Sequence, residues 1–150
     1  MEPASRSGKI VTPHNAYILR FAALPVLDRG NGVKSTPLVN PSVGSQHLAI
    51  GTTSFEPGCA IALHTHNCDE SVCVIEGHAL CEVDGEKHEM RPYDTTFVPA
   101  GIPHRFVNAG DTVMRIYFVY ASGNVTRTFV ETGETVAVQS AQDKASLPRE

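Results

Sequence analysis

Hydrophobic residues along most of this chain alternate with polar ones in short runs, without the three-to-four-residue spacing of a helix. From residue 56 onward eight such runs are separated by Gly, Pro, Asn or Asp: CAIALHTH, ESVCVIEG, ALCEVDG, EKHEM, TTFVPAG, HRFVN, TVMRIYFVY and VTRTFVE. Asp84-Gly85 lies between two of them and predicts a two-residue hairpin. Many short strands at this spacing predict an antiparallel sandwich or barrel, so we expect an all-β fold.

The runs divide the chain into three predicted regions. Residues 33–130 should form the barrel, with VKSTPLV and QHLAIGTTSF adding strands before residue 56. Residues 1–32 should form an N-terminal arm, in which AYILRFAAL suits a strand or a short helix. Residues 131–150 are mostly polar and are predicted to be a tail.

Four candidate metal ligands lie in these runs. His64 and His66 are two residues apart, which places both imidazoles on one face of a strand. Glu70 follows a short polar corner where the chain can turn back beside them, and His104 lies in the separate stretch PAGIPHRFVN. Three imidazoles and a carboxylate suit Fe(II), Mn(II), Ni(II), Co(II), Cu(II) or Zn(II). The pattern therefore predicts one divalent transition metal, with two positions of an octahedral ion left for water, O₂ or a substrate.

The same alternation predicts the lining of a pocket beside the metal. Positions that share a face with the ligands are Ala60, Ala62, Val72, Phe106 and Asn108. One face of TVMRIYFVY should complete the lining, either that of Arg115 and Tyr117 or that of Met114 and Phe118. Of these residues, Tyr117 is our predicted pocket residue. Because the two alanines are small, we expect room for a ligand beside the metal.

The opposite faces of two of these strands are apolar as well. Ile61, Leu63, Cys73 and Ile75 alternate away from the ligands. A strand that is apolar on both faces is buried on both faces, so another layer or a second subunit must cover these residues. We therefore expect a homodimer.

Composition and charge narrow the classes of function. The 150 residues have a formal net charge of −4 and 12 scattered Lys and Arg residues, so no basic patch for nucleic acid is visible. No run is apolar over the ~18 residues of a membrane span, and the N-terminus lacks the apolar core of a secretory signal. The four cysteines lack CxxC spacing and are expected to be reduced thiols. We expect a cytoplasmic protein that binds a small molecule and neither nucleic acid nor membrane.

Two spaced motifs contain the four candidate ligands. The first is Gly58, five residues, His64-x-His66, three residues, Glu70, six residues and Gly77; the second is Pro99-x-Gly101, two residues, His104, three residues and Asn108. The pair resembles the conserved motifs of the small single-domain cupins of the RmlC-like superfamily, with Tyr93 in place of the leading glycine of the second motif. The resemblance implies a double-stranded β-helix (jelly-roll) barrel and a metal held by His64, His66, Glu70 and His104. It also implies a dimer in many members.

The resemblance does not imply one reaction, since cupins include dioxygenases, lyases, isomerases, decarboxylases and non-catalytic binding domains. A complete ligand set favours an enzyme that acts on a small oxygenated metabolite such as a carboxylate, diketone or sugar derivative. A dioxygenase is ahead of a lyase or isomerase, because two adjacent open positions can hold substrate and O₂ together. The alternative is a non-catalytic module that binds or senses a sugar or carboxylate. Catalytic residues beyond the ligands are not identifiable from the sequence.

Overall fold

The computed structural model describes residues 7–145, so the predictions for residues 1–6 and 146–150 lie outside the described residues. The strands are β1 (Lys9–Val11), β2 (Tyr17–Leu19), β3 (Leu27–Asp28), β4 (Val33–Val39), β5 (Ala49–Phe55), β6 (His64–His66), β7 (Glu70–Glu76), β8 (Ala79–Val83), β9 (Glu86–Met90), β10 (Thr95–Val98), β11 (His104–Asn108), β12 (Met114–Tyr120), β13 (Thr126–Phe129) and β14 (Thr135–Ala137). Two 3-10 helices cover Phe21–Ala23 and Pro41–Val43. Within residues 7–145, no helix is long and apolar enough to cross a membrane.

Two antiparallel sheets of six strands form the body of the molecule. One has the order β10-β7-β12-β5-β4-β3 and the other the order β14-β13-β6-β11-β8-β9, while β1 and β2 form a separate hairpin. Most neighbouring strands are far apart in the chain, as in a jelly roll. The predicted all-β jelly-roll barrel is confirmed.

The core lies between the sheets because each strand turns alternate residues inward. In β12 the buried positions are Met114, Ile116, Phe118 and Tyr120. They pack in one cluster with residues of the other sheet, such as Phe106 of β11. The sequence left two faces of this strand open, and the face of Met114 and Phe118 is the inner one.

The turn between β8 and β9 follows the sequence directly. Asp84 has φ 51° and Gly85 has φ 81°. Positive φ at both central residues is typical of a type I′ turn, which Asp-Gly favours. The twist of this turn suits a two-residue hairpin. The predicted hairpin is confirmed.

The N-terminal stretch AYILRFAAL contains both elements between which its sequence did not decide. Tyr17–Leu19 is a strand paired with Lys9–Val11, and Phe21–Ala23 is a 3-10 helix. Farther along, β3 joins the edge of the six-stranded sheet beside β4. The boundary at residue 32 stays a prediction.

Residues 132–145 carry structure that their polar composition did not indicate. β14 pairs with β13, and Val138 N donates to Val125 O. Ala145 accepts a hydrogen bond from Ala62 N and donates one to Arg29 O. The polar pattern missed this attachment because hydrogen bonds and a buried carboxylate fasten the segment, in place of a continuous apolar face.

Candidate metal centre

The two sheets bring the four predicted ligands together inside the barrel. His64 and His66 lie on β6, His104 lies on β11 directly opposite His64, and Glu70 begins β7 in the other sheet. All four are buried. The ring centroids of His104 lie 4.5 Å from His64 and 5.1 Å from His66. Antiparallel pairing of β6 with β11 thus joins residues that are 40 positions apart in the chain.

Backbone carbonyls orient all three imidazoles in the same way. Nδ1 of His64 lies 2.7 Å from Ala62 O, and Nδ1 of His66 lies 2.9 Å from Thr126 O. Nδ1 of His104 lies 2.9 Å from the carbonyl of Ile102. A carbonyl can only accept, so each Nδ1 carries the proton and each Nε2 presents a lone pair. Metal-binding histidines are typically held in this manner.

The Nε2 atoms of His66 and His104 converge on the carboxylate of Glu70. His104 Nε2 lies 3.0 Å from Glu70 Oε1, and His66 Nε2 lies 3.3 Å from Glu70 Oε2. Within residues 7–145, both of these Nε2 atoms and Glu70 Oε1 are buried without a properly directed hydrogen bond. The ligand atoms of the three histidines all lie within 4.8 Å of one another. Buried lone pairs that face one another are costly unless a cation lies between them, so these residues fit a divalent metal.

The directions of the pKa shifts at three of the four residues, His64, His66 and Glu70, suit a cation as well. Burial, together with Arg127, lowers the pKa of His64 well below its ordinary value, and burial also lowers the pKa of His66. Burial would raise the pKa of Glu70, but its contacts with His104 and His66 hold that pKa well below the usual range. Burial would lower the pKa of His104, but Glu70 more than offsets it and raises that pKa. Neutral imidazoles and an ionised carboxylate are the forms that bind metals.

A small cavity adjoins three of the four residues, His64, Glu70 and His104. It is lined by Arg29, Thr53, Ile61, His64, Glu70, Val72, His104, Phe106, Ile116, Phe118, Tyr120, Arg127 and Gln139. About 20 Å³ is open to the centres of water-sized molecules, which is room for one or two waters. Of the predicted pocket residues, Val72 and Phe106 are in this lining.

The other four predicted pocket residues, Ala60, Ala62, Asn108 and Tyr117, do not line this cavity, and the predicted lining is wrong at these positions. The strand alternation does not extend back from β6: Ala60 forms an isolated bridge with Val107, and Ala62 donates to Ala145 O. Ile61 therefore faces the cavity, where the alternation placed the small alanines, and the room expected beside them is largely filled. Tyr117 is on the outer face of β12 and is 37% exposed.

Asn108 is buried but belongs to the framework. Its Nδ2 donates to Phe55 O at 2.9 Å and to Thr112 O at 2.8 Å, and its Oδ1 accepts from Gly110 N. These three bonds join the end of β5 to the turn that leads into β12. Its side chain is committed to backbone groups and does not line the cavity.

The residues that the sequence reasoning missed are a buried polar cluster in the cavity wall. Arg127 donates through Nη1 to Asp143 Oδ1 and through Nη2 to Tyr120 Oη, 3.4 Å away. Arg29 binds the same carboxylate from the other side, with Nη2 3.1 Å from Asp143 Oδ1. One signal was present: Arg127 alternates with Val125 and Phe129, both buried, and a charge at an inward position is rarely there without a function.

Comparison with known proteins places this geometry in a family. The sequence model of the family described as the Cupin domain matches residues 51–120. The polyketide synthase CurC of Streptomyces cyaneus is 33% identical over 95 residues, which are 63% of this chain and 61% of CurC, so the chain spans about three fifths of that relative.

Solved structures of cupins share the fold. An RmlC-like cupin from Shewanella frigidimarina has a TM-score of 0.59 at 23% identity, covering 65% of this chain and 83% of that one. The polyketide cyclase RemF from Streptomyces resistomycificus has a TM-score of 0.65 at 17% identity, covering 85% of this chain and 89% of RemF. With the jelly-roll barrel and the buried histidine cluster, these matches support a small cupin-domain protein.

Proposed function

We propose that this protein is a metal-dependent enzyme that acts on a small oxygenated metabolite at His64, His66, Glu70 and His104. One observation carries the proposal: each of the three imidazoles is fixed by a backbone carbonyl, and those of His66 and His104 direct Nε2 at the buried carboxylate of Glu70. Such preorganisation stabilises the barrel little, because it leaves buried lone pairs unpaired. It is the arrangement that holds a cation for chemistry.

A divalent ion held there would supply Lewis-acid polarisation of a substrate oxygen, and a redox-active ion would also permit reaction with O₂. The chain's own residues do the rest. Glu70 offsets part of the ion's charge, while Ile61, Phe106 and Phe118 line the cavity and exclude water. Burial raises the pKa of Tyr120, so its hydroxyl stays protonated and can donate a hydrogen bond to a substrate oxygen.

We further propose a 1,3-dicarbonyl compound or a β-keto acid as the substrate class. Such compounds chelate metals through two oxygens, and polarisation by a cation acidifies the carbon between the carbonyls. The names of CurC and RemF refer to polyketides, whose chains repeat this dicarbonyl unit, and they support this choice. Loss of a proton from that carbon would leave an enolate. The enolate could react with O₂, as in a dioxygenase, or with an internal carbonyl or a proton, as in a cyclase or isomerase.

The second candidate is a module that binds a small ligand without turnover. The observation in its favour is the size of the cavity, about 20 Å³ for the centres of water-sized molecules, in which a substrate displaces side chains before it fits. A sensor that changes shape on binding would have this property.

The experiment begins with anaerobic loading of the purified protein with Fe(II) or Mn(II) and measurement of the bound metal. Acetylacetone and acetoacetate are then added, with O₂ uptake measured by electrode and exchange of the α-hydrogens for deuterium measured by NMR. O₂ uptake supports a dioxygenase, and metal-dependent exchange without uptake supports a cyclase or isomerase. Tight binding with neither signal favours the non-catalytic module and contradicts the enzyme.

A further inference from the structure

Arg127 shares the inner face of the barrel with the metal ligands. It lies directly opposite His66 in the pairing of β13 with β6, so the two side chains leave the sheet on the same side, close together. It is 2% exposed and lines the same cavity as His64 and Glu70. A guanidinium in this position lies beside any ligand that reaches the metal.

One edge of this guanidinium, which lines the cavity, is only weakly engaged by other side chains of residues 7–145. Nη1 is engaged by Asp143, while Nη2 makes only a long contact of 3.4 Å with Tyr120 Oη. Nε is buried and has no hydrogen-bond partner within residues 7–145. The N–H bonds of Nε and Nη2 lie parallel along one edge of the planar guanidinium. This pair of N–H groups matches the two oxygens of a carboxylate.

The charges around the cavity point to the same ligand. The positive charges of Arg29 and Arg127 are balanced by the negative charges of Glu70 and Asp143. These four side chains are therefore neutral as a group. A divalent ion adds two positive charges in a buried space, where uncompensated charge is costly. A ligand that brings one or two negative charges restores the balance.

We infer that Arg127 binds a carboxylate of the ligand through its Nε–Nη2 edge and thereby selects anionic substrates over neutral ones of the same shape. This inference deepens the proposed function and rests on it, because the metal beside Arg127 is part of that proposal. Within the proposed substrate class it favours β-keto acids over neutral diketones. Arg127 is thus a specificity residue for the site.

Asp143 and Arg29 act as positioning residues. Asp143 holds Nη1 of Arg127, and Arg29 fixes Asp143 through its Nη2 and through a 3.1 Å bond from Nε to the Asp143 carbonyl. Asp143 Oδ2 accepts from Gln139 N at 2.8 Å, which fastens the segment to the barrel. This bracing keeps the side-on edge of Arg127 turned to the cavity.

The route to Arg127 passes Gln139. This residue lines the metal cavity and two neighbouring cavities with about 160 and 340 Å³ open to the centres of water-sized molecules. Its side-chain oxygen is buried without a partner within residues 7–145. Gln139 therefore lies where the small cavity meets the two larger spaces, in which a carboxylate has room.

The test compares glycolate with glycolamide, which has the same shape and no charge. Their affinities are measured by titration calorimetry at constant ionic strength, on metal-free protein and on Co(II)-loaded protein. For both forms we expect the wild type to bind glycolate about tenfold more tightly, as expected for a charge-assisted bidentate pair. The metal content is measured separately, so a failure of the metal site is seen on its own while the metal-free titration still tests Arg127.

Three variants assign the preference to its residue. Arg127→Gln should lose the preference for glycolate, with glycolamide binding little changed. Arg127→Lys keeps a charge for Asp143 and should lose most of the preference, which covers the case in which the glutamine variant does not fold. Arg105→Gln is the matched control, because it changes the net charge equally at the surface, where Arg105 pairs with Glu82. Equal affinities in the wild type, or an Arg127→Gln protein that behaves like Arg105→Gln, would overturn the inference.

Discussion

At the scale of single residues, the second motif contains two kinds of position. His104 directs its Nε2 toward Glu70. Asn108, four residues later on the same strand, instead donates hydrogen bonds to backbone carbonyls at the end of β5 and in the turn before β12. Both face inward and both are buried. Spacing in the sequence could not separate them, because the difference lies in what the surrounding backbone offers each side chain.

Replacing Asn108 with Ala should therefore lower stability without loss of metal. The change removes one buried hydrogen bond, to Phe55 O, and two part-buried ones, to Thr112 O and from Gly110 N, which costs about 2–4 kcal/mol. Urea unfolding measures the cost, with the exposed Asn124→Ala as control, expected within about 0.5 kcal/mol of wild type. Wild-type stability with weakened ligand binding would instead return Asn108 to the pocket.

Cys81 gives the fold a dependence on alkaline pH. Burial, with Glu70 and Glu82, raises its pKa to about 11 from 9.0. A thiol with a raised pKa in the folded state contributes stability that is complete below pH 9 and is lost as the pH rises toward 11. From pH 8 to 10 the wild type should lose roughly 1 kcal/mol more than Cys81→Ala, measured by urea unfolding. Parallel profiles for the two proteins would contradict the assignment.

At the scale of elements, the alternation of apolar residues predicted the faces of β7 and β11 because these strands are regular, whereas it left the inner face of β12 undecided because both of its faces carry apolar residues. It failed before β6, a strand of three residues that follows an isolated bridge at Ala60. The ligands were predictable, since a His-x-His pair needs only local spacing. The cavity wall was not, because Arg29, Tyr120, Arg127 and Gln139 meet through strand register and long connections.

Gly77 is the turn residue on which the pairing of β7 with β12 depends. Its φ is +78°, and a Cβ there would lie 2.5 Å from Val113 O, whereas at Gly85, with φ +81°, nothing lies within 4 Å. Gly77→Ala should destabilise the fold by at least ~2 kcal/mol more than Gly85→Ala, because only the former adds a clash with backbone to the strained φ. Equal losses in thermal or urea unfolding would show that the turn adjusts.

At the scale of the whole molecule, the outer face of the first sheet carries exposed apolar side chains. Ile75 and Tyr117 are each 37% exposed and Phe97 is 68% exposed, on three neighbouring strands. A contiguous patch of this kind is typical of an interface. The homodimer remains our prediction, and this face is its proposed location.

Light scattering after size-exclusion chromatography tests the dimer. We expect twice the chain mass of 16.2 kDa, and the monomer mass after the double change Phe97→Ser and Tyr117→Ser. Val130→Ser, at an exposed apolar position in the turn that follows β13 of the other sheet, should leave the dimer intact. A monomeric wild type, or a double variant that stays dimeric, would place the interface elsewhere or remove it.

The metal centre is the central claim, and metal content tests it most directly. Wild-type protein, His104→Ala and His88→Ala are purified in parallel, since His88 is a histidine with 60% of its side chain exposed. Bound metal is measured by plasma mass spectrometry, and folding by circular dichroism. We predict about one divalent transition-metal ion per chain in the wild type and in His88→Ala, and a loss of most of the metal in a folded His104→Ala. Metal bound by His104→Ala at the wild-type level would contradict the four-residue site.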